Sequence, residues 1–124
     1  MPNQVTKPED LILGTIAKMV DADGMEGTNS YYNLDLLVHI NTFLIDLYQV
    51  GIGERGFVIT EDTTWEDYLH TDVGYLSAVK DYLYMQTKLV FDPPASSAAQ
   101  NALKETSERI LYRLREQIDC TDTL

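Results

Sequence analysis

The sequence predicts an all-α protein, a small bundle of four to five helices with at most a short extended segment near residues 56–60. Three observations predict it. Apolar residues recur at helical spacing along most of the 124 residues. The helical stretches are cut by strong breakers, Gly51-x-Gly53 and the double proline Pro93-Pro94. The extended-looking run, Gly56-Phe57-Val58-Ile59-Thr60, is too short for a stable sheet of its own.

The first helix is expected to start near Pro8, since proline suits a first turn and Glu9 and Asp10 suit the positive end of the helix dipole. Leu11, Ile12, Thr15, Ile16, Met19 and Val20 give it one apolar face, and Asp23-Gly24 ends it. The polar loop that follows runs to Asn29. Within it Asp21-x-Asp23-Gly24 has the look of a calcium loop, but the glycine falls two places early and Tyr32 stands where the bidentate glutamate is required. No calcium site is expected.

The second helix is expected over 33–50, capped by Asn33, with Leu34, Leu37, Val38, Asn41, Leu44, Ile45 and Tyr48 as its inward stripe. Ile40, Phe43 and Leu47 widen that stripe until the helix is apolar nearly all round. Such a helix is either central in its domain or has a second face covered by another chain. His39 reads as a hydrogen-bonded structural residue, because no second histidine or thiolate lies one turn away to share a metal. Gly51 and Gly53 stop the helix.

Residues 54–63 read as a loop with Phe57 and Ile59 plugged into the core. A lone β-bridge, or an edge offered to a neighbouring subunit by strand addition, are the alternatives. Thr63 or Thr64 caps a short third helix from Trp65 to Leu69, with Glu66 and Asp67 in capping-box position. On so short an element Trp65 must either pack deeply or present its ring to a partner.

The fourth helix is expected from Thr71 or Asp72 to Phe91, with Tyr75, Leu76, Val79, Tyr82, Leu83, Gln86, Leu89 and Val90 on its apolar side. Asp92-Pro93-Pro94 ends it. Ser96 or Ser97 caps the last helix, whose seam of Ala99, Leu103, Thr106, Ile110, Leu114 and Ile118 approximates a heptad. The second, fourth and fifth helices are expected to make the core. Its predicted members are Leu11, Ile16, Leu37, Leu44, Val79, Leu83, Leu89, Leu103, Ile110 and Leu114.

The chain carries twenty acids against nine basic residues, a formal net charge of −11. That leaves little material for a basic face, so neutralisation of nucleic-acid phosphates or of an anionic membrane is not expected. Acidity instead suits a solvated surface, a basic protein partner, or a wall that repels DNA. Four of the nine basic residues, Lys104, Arg109, Arg113 and Arg115, fall in the last helix, so the acidity is concentrated upstream. The length fits one domain over 1–124, with 1–6 and 119–124 frayed. Cys120 is the sole cysteine, which excludes an internal disulfide and a cysteine-rich metal site. No apolar run reaches membrane-spanning length and the start is polar, so neither a span nor a secretory signal is expected.

Chemistry is not expected either. There is no Glu-x-x-His pair, no Gly-x-Ser-x-Gly, no phosphate-cradling glycine loop and no Cys–His dyad. Neither a catalytic site, a metal nor a cofactor is predicted, and the chain reads as a non-enzyme.

The order of segments resembles small head–tail connector, or adaptor, proteins of long-tailed bacteriophages and prophages. The segments are the helix at Leu11-Ile12-Leu13-Gly14-Thr15-Ile16, then Asp35-Leu36-Leu37-Val38-His39-Ile40-Asn41-Thr42-Phe43, Leu47-Tyr48-Gln49-Val50-Gly51-Ile52-Gly53 and Gly56-Phe57-Val58-Ile59. They continue through Thr64-Trp65-Glu66-Asp67, Ala78-Val79-Lys80-Asp81-Tyr82-Leu83-Tyr84-Met85 and Leu89-Val90-Phe91-Asp92-Pro93-Pro94 to a last helix with Glu108 to Leu114. One position departs from the pattern: Tyr112 stands where a tryptophan is expected before the final Arg113-Leu114. The resemblance implies a ring of identical subunits beneath the portal in the virion neck, assembled in the host cytoplasm. Such a ring contacts the portal protein and the next connector or tail protein, and DNA passes through it without specific binding. Trp65, Arg109, Arg113 and Arg115 are the candidate interface residues. The alternative is a small acidic regulatory or inhibitory protein, of the DNA-mimic type, that binds a basic partner.

Overall fold

The structure, a computed structural model, describes residues 10–22, 30–70 and 73–122. Among these lie five α-helices and no strand: α1 (Ile12–Ala22), α2 (Ser30–Gln49), α3 (Trp65–Leu69), α4 (Leu76–Phe91) and α5 (Ser97–Asp122). The all-α expectation holds. A 3-10 turn, Val73–Tyr75, leads into α4. An isolated antiparallel bridge joins Leu11 to Thr64, with the Ile12 N–H bonded to the Thr63 carbonyl at 3.0 Å. The start of α1 is thereby tied to the start of α3.

Helix α4 is the centre, packed against α1, α2 and α5. Ile12, Ile16 and Val20 of α1, Leu36, Ile40 and Leu47 of α2, and Val79 and Leu83 of α4 are fully buried together. Ile52, Ile59, Trp65, Tyr68 and Leu69 close the core from the connecting segments. Helix α5 adds Leu114, with Ile110, Leu111 and Ile118 half-buried beside it. The core therefore draws on α1 far more, and on α5 far less, than expected. Leu11, Leu37, Leu89, Leu103 and Ile110 of the predicted core are partly buried, and the other five members are buried.

Local chemistry explains the helix ends. α2 closes in a double-bonded glycine cap: Gly51, at φ 102°, donates to the Tyr48 carbonyl at 2.9 Å, and Ile52 donates to Leu47 at 2.9 Å. Ile52 is then buried, which supplies the apolar contact this cap favours. Thr64 and Asp67 form a reciprocal capping box on α3, each side chain taking the other's backbone N–H at 3.0 Å. Ser96 caps α5 by accepting from the Ala99 N–H at 3.1 Å.

Three boundaries differ from expectation. α2 already runs from Ser30, which places Asn33 inside the helix and removes it as a cap. α4 proper starts at Leu76, because the turn before it is wound as 3-10. α5 continues to Asp122, past the predicted fraying point at 119. The Pro8 start, the tail at 1–6, the loop with Asp23 and Gly24, and the Thr71 or Asp72 cap lie outside the described residues.

The α5 seam also differs in membership. Ser107 and Leu114 are buried, Leu103, Thr106, Ile110 and Ile118 are half-buried, and Ala99 is exposed. Ser107 is fully buried and accepts from Gln86 of α4 at 2.9 Å while donating to the Lys104 carbonyl at 2.8 Å.

Candidate functional site

Helix α2 has two apolar faces and buries one of them. Leu36, Ile40, Phe43, Leu44 and Leu47 face the core, whereas Leu34 (52% exposed), Val38 (64%), Ile45 (58%) and Tyr48 (41%) face solvent. This corrects the predicted inward stripe, most of which is the outer one. Periodicity marks an apolar face without saying which side of the molecule it meets. The outward stripe runs for about 21 Å from Leu34 to Tyr48 at 1.5 Å per residue. Surface leucines and valines are normal when scattered, but a row of four on one helix face marks a contact surface.

At its C-terminal end the stripe opens into a groove. Asn41, Ile45 and Tyr48 form one wall, Arg55 to Val58 the other, and the open volume is about 390 Å³. The second wall stands because Asn41 clamps it. Its side-chain oxygen accepts from the Ile59 N–H at 2.8 Å and its amide donates to the Ile59 carbonyl at 3.3 Å. A side-chain amide thus mimics the two bonds of an antiparallel strand pair. Burial alternates along the wall: Phe57 half-buried, Val58 66% exposed, Ile59 buried and Thr60 exposed. Phe57 stacks at 5.4 Å on Tyr68, which lines the groove floor. The loop reading with Phe57 and Ile59 plugged inward is the one observed.

The floor is tight. A β-carbon on Gly53, at φ 83°, would stand 2.6 Å from the Tyr68 ring, so this turn accepts glycine alone. The Tyr68 hydroxyl is buried without a hydrogen-bond partner among the described residues, and desolvation drives its pKa well above the usual phenol value. Asn41→Ala would strip both bonds from Ile59. We expect a loss of about 1–3 kcal/mol in urea denaturation, with faster hydrogen exchange at the Ile59 amide than at its helical neighbours.

Trp65 lies inside. It is 6% exposed, its indole N–H donates to the Thr15 hydroxyl at 3.0 Å, and the Lys80 ammonium sits 5.5 Å from its ring centroid. Its ring is therefore not the flat aromatic surface considered as a partner contact, and its role is to hold α3 on α1. Tyr82 makes a comparable link, donating to Asp46 of α2 at 3.1 Å. Burial, then the nearby Asp46 charge, raises the Tyr82 pKa and keeps it a donor.

Arg109, Arg113 and Arg115 are all exposed, and none has an ion-pair partner among the described residues. They do not form one patch. At about 100° per residue, Arg109 and Arg113 stand about 40° apart on one flank of α5, while Arg115 is about 160° from Arg113 on the other. Tyr112, 63% exposed, lies between the flanks.

His39 packs edge-on against Phe91 at 5.2 Å, joining α2 to the end of α4. Among the described residues no three His, Cys, Asp or Glu side chains converge to hold a metal, and no helix is long and apolar enough to cross a membrane. Composition gives α2 a second apolar face, but periodicity places Ile45 and Tyr48 inward and so hides the groove. The available signal was Asn41, a polar residue set in an apolar helix and able to hold a loop.

A family model described as phage connector protein matches residues 12–121. No curated protein and no solved structure matches the chain.

Proposed function

The chain belongs to the phage connector family, a structural component of the phage virion, and on that premise we propose that it forms a ring in the neck. The ring of identical subunits sits on the portal, extends the DNA channel and presents a platform to the next connector or tail protein. The whole chain, 1–124, acts as one connector domain. Its task is geometric, with no covalent step.

The outward apolar stripe of α2 carries this reading. Covering it takes another chain, and a contact between two different patches of identical subunits closes into a ring when the rotation allows. The Leu34–Val38 end, which lies beyond the groove, is the part we assign to the neighbouring subunit. Arg109 and Arg113 form the portal-facing patch. Acidity supports a channel lining: helix α5, with four basic and five acidic residues, is nearly balanced, so the excess acid lies upstream. A negative wall does not grip DNA that must slide during packaging and ejection.

Replacing Leu34 and Val38 together by aspartate tests the ring. Both side chains are exposed, so circular dichroism and thermal midpoint should hold. Ring occupancy on purified portals, counted by electron microscopy, should fall by at least about tenfold, because two desolvated carboxylates would sit in an apolar contact. Unchanged rings on portals would remove the stripe from the subunit contact. Wild-type protein that stays monomeric alone and never binds portals, but captures a basic protein, would favour the acidic-antagonist alternative.

A further inference from the structure

One basic side chain stands alone at the groove. Of the charged residues lining it, Glu54 is bonded to His70 at 3.1 Å, whereas Arg55 is exposed and has no ion-pair partner among the described residues. Arg55 is also the single Lys or Arg between Ser30 and Val79. Asn41 is committed to Ile59, Thr42 donates to the Val38 carbonyl at 3.1 Å, and the remaining walls are mostly apolar. A group that fits this groove has an apolar body and brings an acceptor, best a carboxylate, for the guanidinium. The chain carries such a group on another helix. Apart from α2 and the wall, the large apolar side chains exposed among the described residues are Val90 (45%) and Tyr112 (63%). Beside Val90, Asp92 is already paired with Lys88 at 3.4 Å. Tyr112 has two free carboxylates. Glu108 and Glu116 lie one turn before and one turn after it, about 40° to either side, both exposed and without an ion-pair partner among the described residues. Tyr112 stands about 160° around α5 from the buried Leu114, so it points away from the core.

We propose that the occupant is a second copy of the chain: Tyr112 of each subunit enters the groove of the next, between Ile45, Tyr48 and Phe57, with Glu108 or Glu116 on Arg55. An aromatic anchor flanked by acceptors meets an apolar groove with a spare cation, so shape and charge agree. The groove continues the α2 stripe, whose Leu34–Val38 end is already assigned to the neighbour, and one contact covers both. The two patches lie on different helices. Their union is therefore heterologous, the kind of contact that closes into a ring and not into a two-fold dimer. The arginine flank stays free for the portal, since Arg113 stands about 100° around α5 from Tyr112, much as the axis of a ring stands square to the direction of the neighbour. The inference rests on the ring reading and adds to it the two surfaces that meet.

Ring occupancy on purified portals, counted by electron microscopy, tests the contact, with circular dichroism as the check on folding. Tyr112→Ala removes the anchor and Arg55→Glu sets carboxylate against carboxylate, so each should lower occupancy at least about tenfold. Val90→Ala, at the other exposed apolar site, should leave occupancy at the wild-type level. Adding Glu108→Arg and Glu116→Arg to Arg55→Glu should restore most of the loss, which requires that these side chains meet. If Arg55→Glu fails to fold, Tyr112→Ala decides. Full occupancy with Tyr112→Ala, an equal loss with Val90→Ala, or no recovery on the charge exchange overturns this contact and leaves the ring standing. In the first case a loss confined to Arg55→Glu gives the groove to another occupant, a foreign protein or a different segment of this chain. Wild-type protein that forms no ring on portals removes the underlying reading and this contact together.

Discussion

Leu83→Ala should lower stability by about 2–5 kcal/mol, the largest single-residue loss expected in this chain. Leu83 is fully buried on α4, the helix that packs on α1, α2 and α5. A cavity there cannot be filled by one neighbour sliding inward, because Val79 one turn earlier and Tyr82 beside it are themselves buried, and Tyr82 is tethered to Asp46. The loss should show as a lower urea midpoint with an unchanged slope. Leu103→Ala, at a half-buried position on the outer helix, should cost clearly less by the same measurement. Equal losses at the two sites would mean that α5 carries as much of the core as α4 and that the central role given to α4 is wrong.

How far the fold could be read depended on whether the deciding physics was local. Caps and stops are local, so Thr64 with Asp67, Ser96, Gly51 with Gly53, and Asp92 before two prolines all end helices where the sequence places them. The orientation of α2 is not local. Leu36, Ile40, Phe43 and Leu47 form a stripe as regular as Leu34, Val38, Ile45 and Tyr48, and only packing against α1 and α4 decides which one goes inside. The same limit hid the weight of α1, whose Ile12, Leu13, Ile16, Ala17 and Val20 are all buried though the helix is the shortest of the four long ones. Of the candidate site, the reading that α2 has a second face for another chain came from its composition. The groove depends on Asn41 reaching across eighteen residues to Ile59, a pairing that helical periodicity does not report.

Reversing Arg109 and Arg113 together to glutamate should abolish attachment to portal-bearing heads while leaving the fold intact. Both guanidinium groups are exposed and unpaired among the described residues, so no folding interaction is removed, and circular dichroism and thermal midpoint should match wild type. Portal binding, on the proposed reading, depends on them. The chain is strongly acidic, and these two residues share one flank of its most nearly balanced helix, which makes that flank the proposed docking face. The reversal turns a two-charge attraction into repulsion at the point of contact. Geometry adds a control: Arg109→Glu with Arg115→Glu changes the net charge equally but splits it between opposite flanks, so it should leave measurable attachment. If only total charge mattered, the two double variants would fail alike and rising salt would rescue both to the same degree. Docking through the flank requires them to differ, with Arg109→Glu/Arg113→Glu the weaker binder at every salt concentration. Normal head completion by that variant would instead remove the arginine flank from the portal contact and leave the ring proposal to stand on the α2 stripe alone.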